Sequence, residues 1–261
     1  MNKLFTLCVV ASCMATTMFT SCKKSADAVV NAVDSATLAQ TSGDGILYSM
    51  ISTVVYKSFG PPFSNISNSA LGWFGNSTKT VKAGSVSCNT IPLYDTLGLQ
   101  GASNIWYSNS SNATGGLSLG FDVSKKTVSW TVAGNSTNNI PAFNKSDTTW
   151  WPVITNYDVP ASISSTTGVT INYQYTNKGK GGAYDYLVRT ITGSKGRLSD
   201  VISTDATSFT LSASDLAKIG VSGGNVTIQL TGLKLSPEYL VGGKSYRFAK
   251  QMVYTYSVTL N

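Results

Sequence analysis

Histidine is absent from this chain of 261 residues, and acidic residues are scarce. Without an imidazole, the chain cannot form a Ser-His-Asp or Cys-His catalytic site or a histidine metal cluster. Glu238 is the only glutamate among twelve acidic residues. These absences exclude the commonest hydrolase and zinc sites, and we predict no catalytic residues, no metal site and no cofactor.

Charge of either sign is also sparse, because charged residues make up only 12% of the sequence. The formal net charge is +7, but the basic residues are scattered. They include Lys125, Lys126 and the group Lys244, Arg247 and Lys250. No run is dense enough to form a nucleic-acid or lipopolysaccharide footprint. We interpret these side chains as solvated loop tips and expect no nucleic-acid partner.

Serine, threonine, asparagine and glycine take the place of the missing charges, together with 13 tyrosines. This composition is typical of pleated strands joined by polar turns. The clearest alternation of apolar and polar residues lies at 117–123 and 128–132, joined by a hairpin turn at 124–126. We therefore predict an all-β fold of antiparallel β-sandwich units, in which strands have one buried and one solvated face.

The first 21 residues have the features of an export signal. One positive charge, Lys3, precedes an apolar run at 4–11 of the length expected for a secretory signal. From Ser12 onward polar residues interrupt the run, which falls short of the ~20 apolar residues of a membrane-spanning helix. We predict that residues 1–21 are a cleaved signal peptide.

Residues 19–22, with the sequence FTSC, resemble the signal peptidase II lipobox of Gram-negative bacterial lipoproteins. The resemblance implies that Cys22 becomes a lipidated N-terminus. Residues 10–13, with the sequence VASC, fit the same pattern, but cleavage before Cys13 would leave a signal too short for ordinary export. Each buried CH₂ group of an acyl chain contributes ~0.8 kcal/mol, so several chains hold a protein stably on its membrane.

The residues after Cys22 bear on location. In the lipoproteins that this chain resembles, an aspartate after the cysteine favours the inner membrane, and an acidic cluster downstream favours surface display. Here Lys23 and Lys24 follow instead. We expect a lipid-anchored protein of the outer membrane, on its periplasmic or extracellular face.

Cysteine usage excludes an intrachain disulfide in the mature chain. Cys8 and Cys13 leave with the signal and Cys22 carries the lipid, so only Cys88 remains. Cys88 alternates with Val86, which predicts a small buried hydrophobe on a strand rather than a reactive thiol.

Residues 22–59 are predicted to be a tether with a short helix. Apolar residues recur at helical spacing in 25–39 and more strongly in 45–58, where they predict a short packed helix. The β-branched residues of 45–58 also fit a strand. Gly60 and the two prolines after it end this element.

Two β domains are predicted after the tether, at 60–155 and 156–261, with a proline-marked transition before the second. Residues 209–220 resemble the strand, helical turn and glycine that join the sheets of immunoglobulin-like and fibronectin-like modules in secreted bacterial proteins. The Cys, Trp, Cys hallmark of true immunoglobulin domains is missing. The strands of the second domain are expected at 169–175, 184–191, 208–211, 226–230 and 246–260.

Three aromatic residues near the transition are the candidate ligand site: Trp150, Trp151 and Tyr157. Flat aromatic rings stack on the C–H faces of sugars, and neighbouring Asn and Thr side chains supply neutral hydrogen-bonding groups. If the rings are exposed, they predict a glycan-binding platform. The alternative is that the two indoles pack into the junction between the two domains.

The function class that these features favour is a membrane-anchored, non-catalytic binding or adhesion lipoprotein, with a glycan or another envelope protein as partner. One alternative is a hydrolase with an acidic active site, for which Asp185 and Glu238 are candidate carboxylates. A purely structural role in the cell envelope is the other.

The lipobox predicts that Cys22→Ala abolishes lipidation, because the acyl chains are attached through the Cys22 thiol and amine. Metabolic labelling with a fatty-acid analogue, followed by membrane fractionation, measures this directly. We expect label on the wild-type chain in the outer-membrane fraction and none on Cys22→Ala. A Cys13→Ala chain is the matched control and keeps the label, whereas label on Cys22→Ala contradicts the assignment.

Overall fold

The computed structural model describes residues 43–57, 63–76, 79–97, 105–109, 119–182 and 184–261. Within them the chain forms eighteen strands, one α-helix and a 3-10 turn at Ser136–Asn138. The predicted all-β fold is confirmed. The predicted signal peptide, Cys22 and the tether up to residue 42 lie outside the described residues.

The first eight strands precede the proline-marked transition. They are β1 (Gly45–Tyr56), β2 (Phe63–Asn76), β3 (Lys79–Thr80), β4 (Val86–Cys88), β5 (Ile91–Leu97), β6 (Ile105–Ser108), β7 (Val128–Val132) and β8 (Phe143–Asp147).

The remaining strands follow the transition, and one helix lies among them. They are β9 (Ile154–Thr155), β10 (Ser162–Ile163), β11 (Val169–Asn172), β12 (Gln174–Tyr175), β13 (Tyr184–Thr192), β14 (Arg197–Ile202), β15 (Ser208–Leu211), helix α1 (Ala213–Ile219), β16 (Asn225–Leu235), β17 (Tyr239–Val241) and β18 (Lys244–Leu260).

One large sheet of fourteen strands organises the molecule, in the order β14-β13-β16-β18-β1-β2-β6-β5-β4-β7-β8. Strands β3, β10 and β17 pair at its margins, and β11-β15 and β9-β12 form two small antiparallel sheets. The large sheet is mixed, because β1 and β10 run parallel to β18 while its other pairs are antiparallel. The first and last described strands therefore lie side by side at its centre.

The helix predicted at 45–58 is wrong, because this segment is strand β1. Alternate residues of β1 enter apolar clusters on opposite faces of the sheet: Leu47 and Ile51 on one face, Ile46 and Met50 on the other. A strand buried on both faces reads as a nearly continuous apolar run, which a helix-period pattern also fits. The β-branched alternative reading is the one that the structure adopts.

Two large cores lie on one face of the central strands. The first packs β4, β7 and β8 against the ends of β1, β2 and β18, and includes Leu47, Phe74, Trp130, Phe143, Trp151, Tyr246 and Phe248. The second packs β11, β15 and α1 against β13, β16 and the far half of β18, and includes Ile171, Leu187, Leu211, Leu216, Ile228, Leu230 and Leu260.

The large sheet runs through both predicted domains, so its strands are hydrogen-bonded across the proposed boundary. The cores change over at that boundary, with Trp151 in the first and Ile154 in the second. The division into 60–155 and 156–261 and the immunoglobulin-like resemblance stay predictions.

The strand predicted at 117–123 is absent in its described part, which begins at residue 119 and is irregular. The Asp122 carboxylate accepts the Ser124 N–H at 2.8 Å, and the Asp122 carbonyl accepts the Lys125 N–H at 3.0 Å. These bonds close a turn at 122–125, which begins two residues before the predicted hairpin turn at 124–126. Leu119 is nevertheless buried in the first core.

The strand, helical turn and glycine predicted at 209–220 are present as β15, α1 and Gly220. Ser212 and Asp215 form a capping box, in which each side chain accepts the other residue's backbone N–H. Among the described residues, no helix has the length and apolar character needed to cross a membrane.

The second core predicts that Leu230→Ala lowers the free energy of unfolding by about 2–5 kcal/mol, because the Leu230 side chain is fully buried and leaves a cavity. Leu240→Ala is the matched control, since Leu240 is 71% exposed and its truncation changes the unfolding free energy by less than about 0.5 kcal/mol. Denaturant unfolding followed by tryptophan fluorescence measures both. Equal effects of the two substitutions would contradict the packing.

Candidate functional site

The three candidate ring residues lie on the segment that follows β8, and the structure separates them. Trp150 is 36% exposed, whereas Trp151 is 0% and Tyr157 is 6% exposed. Trp150 therefore meets the requirement of an exposed ring for a glycan platform, and Trp151 and Tyr157 do not.

Trp151 is an anchor of the first core. Its indole Nε1 donates to the Lys125 carbonyl at 3.0 Å, and its ring lies 5.5 Å from the Phe121 ring. The Lys250 ammonium lies 5.4 Å from the centre of the same ring. Trp151 thus satisfies its polar atom inside the protein and has no surface left for a sugar.

Tyr157 is an anchor of the second core. The Tyr256 hydroxyl donates to the Tyr157 carbonyl at 2.6 Å, and the two rings meet edge to face at 5.1 Å. Burial raises the pKa of the Tyr157 hydroxyl well above its usual value. The three rings therefore separate: Trp150 is at the surface, Trp151 is in the first core and Tyr157 is in the second. The alternative, in which both indoles pack into the junction, agrees with the structure for Trp151 alone.

Trp150 has the one exposed ring of the three candidates. The Lys126 ammonium lies 5.4 Å from its ring centre, close enough for a cation–π contact. A Cβ added to Gly181 would lie 3.4 Å from Trp150 Cδ1, so the loop 176–182 supports one edge of the ring. Neutral polar side chains are exposed nearby in the chain: Asn144 on β8, and Thr148 and Asn156 after it.

The carboxylates are held by partners throughout the described residues, which contain every acid except Asp27 and Asp34. Asp122 and Asp215 accept backbone N–H groups in a turn and a helix cap. The others form ion pairs: Asp44–Lys244, Asp95–Lys82, Asp147–Lys250, Asp158–Lys57, Asp185–Lys234, Asp200–Arg189, Asp205–Lys178 and Glu238–Arg247.

Asp185 and Glu238, the carboxylates considered for a hydrolase, belong to different ion pairs. Asp185 accepts from the Lys234 ammonium, and Glu238 from the Arg247 guanidinium. The described part of the chain also contains no group of three or more Cys, Asp or Glu side chains that could hold a metal ion.

Two buried lysines are the polar feature that sequence reasoning missed. Lys234 and Lys250 are opposite partners of β16 and β18, and both side chains are 0% exposed. The interpretation of Lys250 as a solvated loop residue is wrong. The sequence does contain a sign of this burial, because Lys250 alternates with Phe248 and Met252 on the side of the strand that faces the core.

Lys234 forms a charge-assisted network with the loop 176–182. Its ammonium lies 3.0 Å from Asp185 Oδ1 and 2.5 Å from the Asn177 carbonyl. Asp185 Oδ2 also accepts the Gly179 N–H at 2.5 Å. This network holds the loop against β16 and the edge of the Trp150 ring.

The Lys250 ammonium is surrounded by three backbone carbonyls and one carboxylate. Its ammonium contacts the Lys126 carbonyl and lies 2.5 Å from the Thr149 carbonyl and 3.3 Å from the Asp147 carbonyl. Asp147 Oδ2 lies 3.5 Å away. Burial lowers the pKa of Lys250, while the nearby Asp147 carboxylate opposes that shift.

Cys88 lies on β4 in the first core and is 0% exposed. Burial raises the pKa of its thiol, with a weaker opposing contribution from a hydrogen bond to Ser49. The prediction of a buried, unreactive cysteine is confirmed in its geometry. A thiol held protonated in an apolar core has little of the thiolate that reacts.

The burial of Cys88 predicts that a thiol-reactive reagent does not modify it at neutral pH in the folded protein. Unfolding exposes the thiol and returns its pKa to the ordinary range, so modification becomes complete in denaturant. Mass spectrometry of the Cys88 peptide follows this residue separately from the other three cysteines. Rapid modification in the folded state would contradict the burial.

Comparison with known proteins gives this chain no family. No protein-family model matches it. A search of curated proteins likewise finds no significant match. A functional assignment therefore rests on the residues and contacts described above.

Proposed function

We propose that this chain is a membrane-anchored extracytoplasmic lipoprotein that binds a ligand without catalysis. The lipobox resemblance at Cys22 supports the anchor, and the outer membrane is the proposed location. The folded part supplies an all-β scaffold with an exposed indole on one connecting segment. We extend the proposal to an immunoglobulin-like C-terminal unit, on the match at 209–220.

The observation that favours ligand binding over hydrolysis by an acidic site is that the described carboxylates are held by other groups of the protein. Hydrolysis of a glycosidic bond uses two carboxyl groups on either side of the substrate, one of which must stay protonated near neutral pH. In the described residues the acids are held by lysine, arginine or backbone N–H groups. Lys234 occupies the Asp185 carboxylate and Arg247 the Glu238 carboxylate, so these two acids lie in separate ion pairs and do not form a catalytic pair.

The proposed ligand is a glycan, and Trp150 is its contact residue. An exposed indole supplies a flat apolar surface for the C–H face of a sugar, and its loop support limits the entropy lost on binding. Lys126 adds a donor for a hydroxyl or an acidic group of the glycan. Trp151 and Tyr157 contribute to this site only by fixing the segment from inside the cores.

The test is binding of the detergent-solubilised chain to a glycan array. Trp150→Ala removes the stacking surface, and we expect binding to every positive glycan to fall about tenfold, the equivalent of about 1.4 kcal/mol. Trp150→Phe keeps an aromatic face and retains most of the binding. Tyr94→Ala is the matched control, because Tyr94 is 49% exposed on β5.

Two outcomes contradict the proposal. Glycan binding that Trp150→Ala leaves unchanged places the site elsewhere. Release of free sugar from a bound glycan by the purified chain would replace binding with hydrolysis.

A further inference from the structure

The Lys250–Asp147 pair joins the central strand β18 to the last residue of β8. Both side chains are removed from water, with 0% and 1% of their surface exposed. Other ion pairs of the described residues reach solvent through at least one partner, and Asp185 in the neighbouring pair is 12% exposed. The Lys250–Asp147 pair therefore lies in a region of low dielectric, and burial there lowers the pKa of the Lys250 ammonium.

The two oxygens of the Asp147 carboxyl group have different surroundings. Oδ1 accepts the Thr149 backbone N–H at 2.9 Å and the Thr149 Oγ1–H at 2.8 Å. Oδ2 is buried, has no hydrogen-bond donor, and faces the Lys250 Nζ at 3.5 Å. Thr149 thus polarises one C–O bond as in an oxyanion hole, while the other oxygen faces the amine.

The Lys250 amine is oriented by backbone carbonyls. The nearest two, of Lys126 and Thr149, accept two of its N–H groups. The Asp147 carbonyl is a more distant acceptor at 3.3 Å. A neutral amine has two N–H groups and one lone pair, so hydrogen bonds to the two nearer carbonyls leave the lone pair for the Asp147 carboxyl group. The folded chain thus holds the Lys250 nitrogen beside the Asp147 carboxyl group, 3.5 Å from Oδ2.

We propose that Lys250 and Asp147 condense to an amide, an intramolecular isopeptide cross-link between β18 and the end of β8. A proton passes from the Lys250 ammonium to Asp147 Oδ2, and the neutral amine attacks Cγ. The Nζ–Cγ bond forms, the Cγ–Oδ2 bond breaks, and Oδ2 leaves as water with one proton from the amine. The two Thr149 donors stabilise the negative charge on Oδ1 in the tetrahedral intermediate. The reaction needs no oxidant and no co-reactant.

The Lys234–Asp185 pair is an internal comparison that lacks these features. Asp185 Oδ1 is the acceptor for the Tyr175 hydroxyl at 3.5 Å and for Lys234, and Oδ2 accepts the Gly179 N–H. Both oxygens have donors and the carboxylate reaches solvent, so Asp185 lacks the buried, donor-free oxygen that Asp147 has. This pair remains an ion pair.

The cross-link closes a loop between residues 147 and 250. A covalent link of such length restricts the unfolded chain as a disulfide does, and the stabilisation grows with the loop. The mature chain has only Cys88 left for thiol chemistry, so an amide is the intrachain cross-link that its residues allow. The proposal is independent of glycan binding.

Peptide mapping of the full-length chain decides the proposal. Trypsin cuts after Lys145, Lys178 and Arg247, and the amide blocks its cut after Lys250. We expect one branched peptide of residues 146–178 and 248–261, lighter by one water than the sum of its parts. Recovery of 251–261 as a free peptide from the folded wild-type protein overturns the proposal, and this result needs no variant.

Variants assign the roles. Lys250→Met and Asp147→Ala lose the branched peptide, whereas Lys234→Met keeps it. Thr149→Val retains the backbone N–H but loses the hydroxyl donor, and we expect the cross-linked fraction of newly made chain to form about a hundredfold more slowly. A branched peptide that persists in Asp147→Ala, or a wild-type rate in Thr149→Val, contradicts the mechanism.

Discussion

Burial of both faces of β18 is the constraint on which the rest of the structure depends. Its alternate side chains enter all three apolar clusters: Tyr246 and Phe248 in the first core, Leu260 in the second, and Val253 in the cluster on the opposite face. A strand at the centre of a covered sheet has no solvated face, so each position must be packed or paired. Pairing with β1 holds the first and last described strands together, and both cores include side chains of β18.

One polar residue on that strand determines how the neighbouring segments are arranged. A buried ammonium without partners would cost several kcal/mol, so Lys250 requires acceptors from other parts of the chain. Carbonyls of Lys126, Asp147 and Thr149 supply them and bring 119–127 and 147–151 over the core. Trp151 is enclosed by the same arrangement, because its indole donates to the Lys125 carbonyl. This carbonyl is next in the chain to the Lys126 carbonyl that contacts Lys250. The polar contacts thereby fix which of two adjacent indoles faces inward.

The engaged acids and the exposed Trp150 ring are the reasons for proposing binding rather than catalysis. The described acids are engaged in ion pairs and caps that secure loops to the sheet, so they act as structural groups. Trp150 lies on a segment secured at Trp151 and by the Lys234 network, which gives an exposed ring a rigid support. Pre-organised aromatic surfaces of this kind bind at low entropic cost.

The sequence by itself determined the all-β class, most strands after residue 168, the capped turn at 209–220 and the burial of Cys88, because each is encoded by local alternation or capping. Local pattern could not decide β1, since burial on both faces erases the period of two. It also could not distinguish Trp150 from Trp151, or find the partner of Lys250. Asp147 lies 103 residues away, and only the tertiary structure brings an amine and a carboxyl together across that distance.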